Sequence, residues 1–288
     1  PHDQMVLVGP RDIIEDFLKE RGIRDPRLVV EHTTQVIAMD ESPAKAVRSK
    51  PDSSIVKSAW LGSHKADPSI RCDAVMSAGN TGACVSAAIM QMKRLPGVHR
   101  PGIAVTVPGF HGPVVLIDAG ANPEPRASHL WQYGLMADTF ARHTLGIKNP
   151  RVAQMNIGSE EAKGTDMTKQ VRDLLKATPD LNYIGYIEGR DLFDTAADVV
   201  ITDGFVGNTM LKMAEGLVKS LFTAIGQEIF SINPELGLQL EPAAAPLQVE
   251  QVALQLLRRS GQGDGSLVEP GVFHGLLHQR LHGQHDRG

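Results

Sequence analysis

Short apolar runs alternate along the chain with stretches whose apolar positions recur every three to four residues. That is the pattern of a mostly parallel sheet covered by helices. Residues 5–8 read as a strand ending at Gly9, and Asp12 opens a helix running to about Arg21. Residues 28–30 are a second strand. Ser42 and Pro43 start a helix as N-cap and first helical residue, and Ser53 or Ser54 caps the next, which runs through Trp60. Residues 74–76 read as a strand, followed by a glycine-containing turn and a helix from about Gly82 to Arg94. Residues 103–106 and 114–117 pair around a turn at 108–112. A long helix over 128–145 carries Trp131, Leu135, Met136 and Phe140 as an apolar stripe, which reads as core. Then come a strand at 152–157, a helix at 163–176, strands at 183–187 and 199–202, and a helix from Gly207 to about Phe230. With no internal repeat and no linker, the expectation is a single α/β domain over residues 1–288.

Beyond Phe230 the pattern changes. Pro234, Gly237, Pro242 and Pro246 interrupt the chain, yet Ile225, Ile229, Ile232, Leu236, Leu238 and Leu240 keep it apolar, and residues 249–259 again form an amphipathic helix. A helix, an apolar tip and a returning helix, about 215–260, predict an arm projecting from the sheet domain. Residues 261–288 are rich in Gly and His. His274, His278, His282 and His285 have spacings that face a metal if helical, but the glycines and terminal position favour a frayed tail. The chain opens on Pro1 rather than Met, so an N-terminal piece is expected to precede it.

Composition narrows the class. An apolar fraction of 42% and a charged fraction of 22% suit a soluble globular protein, and a net charge of −4 speaks against general nucleic-acid binding. Cys72 and Cys84 supply neither a disulfide framework nor a zinc site. No apolar run approaches the roughly 18 residues of a spanning helix, and no signal peptide opens the chain, so a cytoplasmic place is expected.

Candidate chemistry gathers in the turns after strands, where ligands bind in open α/β sheets. SAGNTGA (77–83) offers backbone N–H groups and a helix N-terminus to an anion. DAGAN (118–122), NIGSEEAKG (156–164), EGRD (188–191) and DGFVGN (203–208) occupy the equivalent places after later strands. Singly, each reads as plain turn chemistry: Asp118, Asp191 and Asp203 bracing turns, Lys163 solvated, Arg190 paired with Glu188 or Asp191. Together, five such turns point to an anionic ligand held by amides, backbone donors and one or two cations. The chain contains no G-x-x-x-x-G-K-[ST] loop, no G-x-G-x-x-G after a strand and no G-x-S-x-G elbow.

In this order SAGNTGA, RPGIAV (100–105), DAGAN, NIGSEEAKG, EGRD and DGFVGN, with MDESPAKAVRSKPDSSI (39–55), resemble the fatty acyl-acyl carrier protein:phosphate acyltransferases of bacterial phospholipid synthesis. The resemblance covers roughly residues 5–230. It implies a three-layer α/β/α sandwich, similar to phosphotransacetylases and isopropylmalate dehydrogenases, with a projecting helical hairpin. It implies a homodimer without metal or organic cofactor, acting on an acyl carrier protein and inorganic phosphate. It also implies transient membrane contact through the arm, and a downstream glycerol-3-phosphate acyltransferase on the way to phosphatidic acid.

Lys163 and Asn208 match polar positions that the resemblance marks as functional, the first binding phosphate or polarising the carbonyl, the second donating to an oxyanion. Ser77, Asn80, Thr81, Asp118, Asn122, Asn156, Arg190, Asp203 and Gly204 are expected to line the substrate site. Such a reaction needs no covalent enzyme intermediate, because phosphate is itself a nucleophile. The family's opening DAMGGD-like turn is not in this chain, and residues 261–288 do not clearly reproduce its GGAPLLG-like and SHG-like segments. The expectation is an N-terminally truncated chain with a divergent tail. Two rivals remain: a phosphotransacetylase-like enzyme using acyl-coenzyme A, and a non-catalytic scaffold at a membrane surface. An acidic carrier calls for a basic dock; Lys93, Arg94, His99 and Arg100 supply one, or else form a solvated helix end.

Overall fold

The structure, a computed structural model, describes residues 3–194 and 196–232. The second half of the expected arm, including Leu236, Leu238 and Leu240, lies outside the described residues, as does the histidine-rich tail. The described residues cluster into two compact units, one ending at Leu95 and one beginning at Pro96, a division that the sequence, having no linker, does not announce.

In the first unit, β1 (Met5–Gly9) and β2 (Leu28–His32) pair in parallel around α1 (Arg11–Glu20). Three helices follow: α2 (Pro43–Ser49), α3 (Ser54–Leu61) and α4 (Thr81–Gln91). Their buried faces join Ile37, Ala46, Val47, Ile55, Val56, Ala59, Ala83 and Ala87 in one core. Ser42 and Ser53 occupy the N-cap positions anticipated for α2 and α3, although neither side chain makes a cap hydrogen bond. Residues 74–76 do not form the expected strand. They pair with no strand among the described residues, and Met76 is 55% exposed. An extended apolar segment becomes a strand only when a neighbour takes up its backbone groups.

The second unit is built on a five-stranded sheet in the order β3-β4-β7-β5-β6. Its strands are β3 (Ala104–Gly109), β4 (Gly112–Ile117), β5 (Val152–Met155), β6 (Tyr183–Ile187) and β7 (Val199–Ile201). β3 and β4 form an antiparallel hairpin, and the other pairings are parallel. Residue alternation sorts the core. Val115, Ile117, Val152, Val199 and Ile201 meet Leu130, Tyr133, Ala137, Ala141, Val171 and Leu175 from α5 (Ala127–Thr144) and α6 (Asp166–Lys176). Val114, Leu116, Ala153 and Val200 face the other way, onto Leu192, Ala197, Met210 and Leu211. Met210 and Leu211 belong to α7 (Gly204–Ile232). Helices cover both faces, which is why β4 is a continuous apolar run rather than an alternating one. The expected mixed α/β architecture with a mostly parallel sheet is therefore present.

Candidate functional site

Because β4, β7, β5 and β6 run parallel, the turns leaving their carboxyl ends share one edge of the second unit. Along that edge DAGAN, DGFVGN, NIGSEEAKG and EGRD follow in spatial order, with neighbouring strands about 4.8 Å apart.

Asp118 organises the first of these turns. Its carboxylate is fully buried. Oδ1 accepts from the backbone N–H groups of Ile103, Gly120 and Ala121 at 3.0, 3.1 and 2.9 Å. Oδ2 accepts from the Asn122 backbone N–H at 2.7 Å and from its Nδ2 at 3.3 Å. Asn122 Nδ2 also donates to the Pro101 carbonyl and to the Tyr133 hydroxyl, both at 2.7 Å. Burial, reinforced by the Asp118 charge, pushes the Tyr133 phenol well above its usual pKa. It therefore stays neutral and braces the turn from α5. Asp118 and Asn122 spend their polar atoms on holding the backbone.

The DGFVGN turn is pressed against this one. Asp203 Oδ1 accepts from the Val206 N–H at 2.8 Å, capping α7. Gly204 N–H donates to the Asn122 carbonyl at 2.9 Å, and a Cβ on Gly204 would sit 2.8 Å from the Asn122 backbone N and O. A Cβ on Gly207 would run into the Asp118 carbonyl oxygen. These close approaches bring Asn208, which is exposed, against Gly120, whose hypothetical Cβ would lie 3.4 to 3.6 Å from the Asn208 side chain. Gly120 itself has φ +132°, a backbone that other residues rarely adopt.

Lys163 sits in the loop before α6, not inside the helix as the sequence suggested, because Thr165 takes the N-cap with its side chain on Thr168 N–H. Asn156 Nδ2 fixes this loop by donating to the Gly158 and Lys163 carbonyls at 3.1 and 3.2 Å. The Lys163 ammonium pairs with Glu160 at 2.8 Å, at the surface. Arg190 is 78% exposed and pairs with Glu188 and Asp191, while Asp191 caps Glu188 N–H in a 3-10 turn over Gly189–Leu192.

In the first unit Asn80 is the N-cap of α4, accepting from Ala83 N–H at 3.0 Å. Its Nδ2 donates to the carbonyls of Ala38, Met39 and Glu41. Ser77 Oγ accepts from Gly79 N–H, and Thr81 is exposed at the helix start. Thus Asp118, Asn122, Asp203, Gly204 and Asn208 form one cluster, Asn156 and Lys163 form a loop farther along the same edge, and Ser77, Asn80 and Thr81 belong to the first unit. Tyr133, Gly120 and Gly207 were not singled out from sequence. Gly120 and Gly207 carried a signal, since they stand within DAGAN and DGFVGN; Tyr133 carried none. No group of three or more metal-ligating side chains occurs among the described residues, and no described helix is long and apolar enough to cross a membrane.

Residues 2–246 match the family described as "Fatty acid synthesis protein". The chain is 42% identical over 227 residues to a phosphate acyltransferase of Desulfitobacterium hafniense, covering 78% of this chain and 66% of that protein. It is 44% identical over 230 residues to a phosphate acyltransferase of Heliobacterium modesticaldum, covering 79% and 67%. The chain thus spans about two thirds of the length of the curated relatives it matches. Among solved structures it is similar to the EutD phosphotransacetylase from Staphylococcus aureus, with a TM-score of 0.49 and 16% identity over 74% of each chain. The kinship read from the motifs SAGNTGA through DGFVGN holds at the level of the family: the chain belongs to the "Fatty acid synthesis protein" family, alongside relatives named phosphate acyltransferase.

Proposed function

We propose that the whole protein moves a fatty acyl group from the thioester of an acyl carrier protein onto inorganic phosphate. Family membership and the relatives' name support the reaction class. The observation that carries it here is the packing of Gly204 and Gly207 on the Asp118–Asn122 backbone, which holds the Asn208 amide over a fixed glycine turn. In this reading Asn208 donates to the oxyanion that forms when a phosphate oxygen attacks the thioester carbonyl. Lys163 exchanges Glu160 for the phosphate, a cheap exchange because an exposed ion pair contributes little. The C–O bond forms, the C–S bond breaks, and the thiolate, with a thiol pKa near ~8.5, leaves readily and takes up the proton that phosphate gives up. Asp118, Asn122, Asn156 and Asp203 serve by holding the turns in place.

The same reading makes the protein a cytoplasmic homodimer, feeding acyl phosphate to a glycerol-3-phosphate acyltransferase on the route to phosphatidic acid. It touches the membrane through the arm that α7 begins. Exposed Leu217, Leu221, Phe222 and Ile225 on α7 support that contact.

Incubating the full-length protein with acyl-acyl carrier protein and phosphate tests the reading, with acyl phosphate as the readout and acyl-coenzyme A as the parallel donor. Acyl phosphate from the carrier-bound donor is expected; its formation from coenzyme A alone would replace the donor, and its absence with both would refute the activity. Lys163→Ala should lower kcat by roughly a hundredfold without moving the urea midpoint, and near-wild-type turnover would remove Lys163 from the chemistry.

A further inference from the structure

Four basic residues lie on two segments that meet beside the Asp118 turn, and the reaction above uses none of them. His99 and Arg100 precede β3; Arg126 and His129 stand at the start of α5. Arg100 is anchored through its neighbours. The Pro101 carbonyl accepts from Asn122 Nδ2 at 2.7 Å and from the Tyr133 hydroxyl at 3.4 Å. A Cβ on Gly102 would lie 3.1 to 3.2 Å from the Tyr133 ring, so the segment lies flat on that ring. His99 is fixed by its backbone N–H on Gln132 Oε1 at 2.9 Å, and its ring meets that of His129 edge to face, with centroids 6.1 Å apart.

Arg126 N–H donates to His129 Nδ1 at 3.2 Å. The neutral His129 ring therefore carries its proton on Nε2 and keeps it free to donate. Burial first, then the neighbouring Arg100, His99 and Arg126, hold the His129 pKa below its usual value. Among the described residues neither Arg100 nor Arg126 joins an ion pair. Two guanidinium groups outside any described ion pair, beside a ring N–H left to donate, are charge-assisted donors that a bound anion satisfies. The 18-residue helix α5 adds its positive end to the same place.

We propose that Arg100, Arg126 and the His129 Nε2–H form a subsite for the phosphodiester at the far end of the donor's pantetheine arm. The choice of donor rests on the function proposed above. The chemistry that the subsite recognises is a phosphate group, and two sources offer one: the pantetheine arm and the inorganic acceptor. The acceptor must lie where it can attack the carbonyl, on the side of the turn where Asn208 meets Gly120. The basic cluster is attached instead through Pro101 and Asn122. With the acceptor placed at Asn208 and Gly120, the cluster is left to the donor's phosphate.

Calorimetric titration of the full-length protein with 4′-phosphopantetheine and with pantetheine tests the assignment without requiring turnover. The wild type should bind the phosphorylated compound at least about tenfold more tightly, the size expected for charge-assisted hydrogen bonds to one phosphate. The Arg100→Ala, Arg126→Ala double variant should lose that preference, and the corresponding double Lys variant should recover part of it. No preference in the wild type, or a preference that survives in the double Ala variant, would overturn the proposal. Displacement of 4′-phosphopantetheine from these residues by millimolar inorganic phosphate would overturn the donor assignment and give the subsite to the acceptor. If the wild type binds as expected but forms no acyl phosphate, the subsite stands and the proposed reaction falls.

Discussion

At Gly207 even one methyl group would meet the Asp118 carbonyl oxygen. That oxygen cannot retreat, because the Asp118 carboxylate is tied to Ile103, Gly120, Ala121 and Asn122. Gly207→Ala should therefore lower stability by about 1–3 kcal/mol, as overpacking against a rigid partner does. It should also tilt the start of α7 and carry Asn208 off Gly120, lowering kcat by at least about tenfold. Urea unfolding and steady-state kinetics on the full-length protein measure the two effects; wild-type values in both would mean that the junction is soft. Asp118→Asn probes the other side of the contact. It puts an amide NH2 where a carboxylate oxygen receives N–H donors, so a buried donor faces a donor. A loss of about 2 kcal/mol or more is expected, against near neutrality if the turn were held by its backbone alone.

The elements show how much of this was legible beforehand. The runs of β4, β5 and β7 are short and bounded by turn residues, those of β4 and β7 rich in Val and Ile, and each was placed to within two residues because both faces are buried. The turns after them were legible for the same reason: an abrupt change from Val and Ile to Asp, Asn and Gly. Residues 74–76 were misread because apolar character predicts an extended segment but cannot supply its pairing partner. Lys163 was placed in a helix that starts later, since the Thr165 cap outcompeted the earlier start. What no local pattern carries is the pressing of α7 onto the DAGAN turn, or Tyr133 reaching Asn122 from α5, which are contacts between distant stretches. Along α7 the same residue type divides by surroundings. Gly216 has open space around it and helical neighbours, so Gly216→Ala should stabilise the protein by about 0.5–1 kcal/mol, opposite in sign to Gly207→Ala. On the exposed stripe, Leu217→Glu with Leu221→Glu should weaken liposome flotation if α7 carries the membrane contact, and unchanged flotation would place that contact elsewhere.

Across the whole molecule, charge sets a common response to acid. In the first unit the Arg27 guanidinium holds Asp25 down to about 2, while Lys50 lowers Glu41, Thr34 lowers Asp52 and Ser69 lowers Asp67. In the second, Lys163 lowers Glu160 and Lys176 lowers Glu161. Asp198 feels burial pushing it up, but hydrogen bonds from the Arg151 side chain and backbone prevail and its pKa falls. Every one of these folded-state values lies below its unfolded counterpart, so unfolding takes up protons as the pH drops. Their stabilisation is fully present above the ordinary carboxylate values of 3.8 and 4.5 and is lost as pH falls through the depressed ones. The carboxylates' contribution to the urea midpoint should therefore be flat from about pH 7 to pH 5 and fall steadily below about 4.5, while His129, held below its ordinary 6.5, adds a smaller loss as the pH falls through that value. Most of these carboxylates are exposed, and water screens their contributions. Asp198 is the exception, with a side chain only 15% exposed and bonds to Arg151 Nε, Nη2 and backbone N–H. Asp198→Asn should lower stability at pH 7 by roughly 1 kcal/mol, discounted for the half-exposed arginine. It should also make the acid limb shallower, so that variant and wild type converge near pH 3. A constant gap between the two curves down to that pH would show that the carboxylate contributes through packing rather than charge.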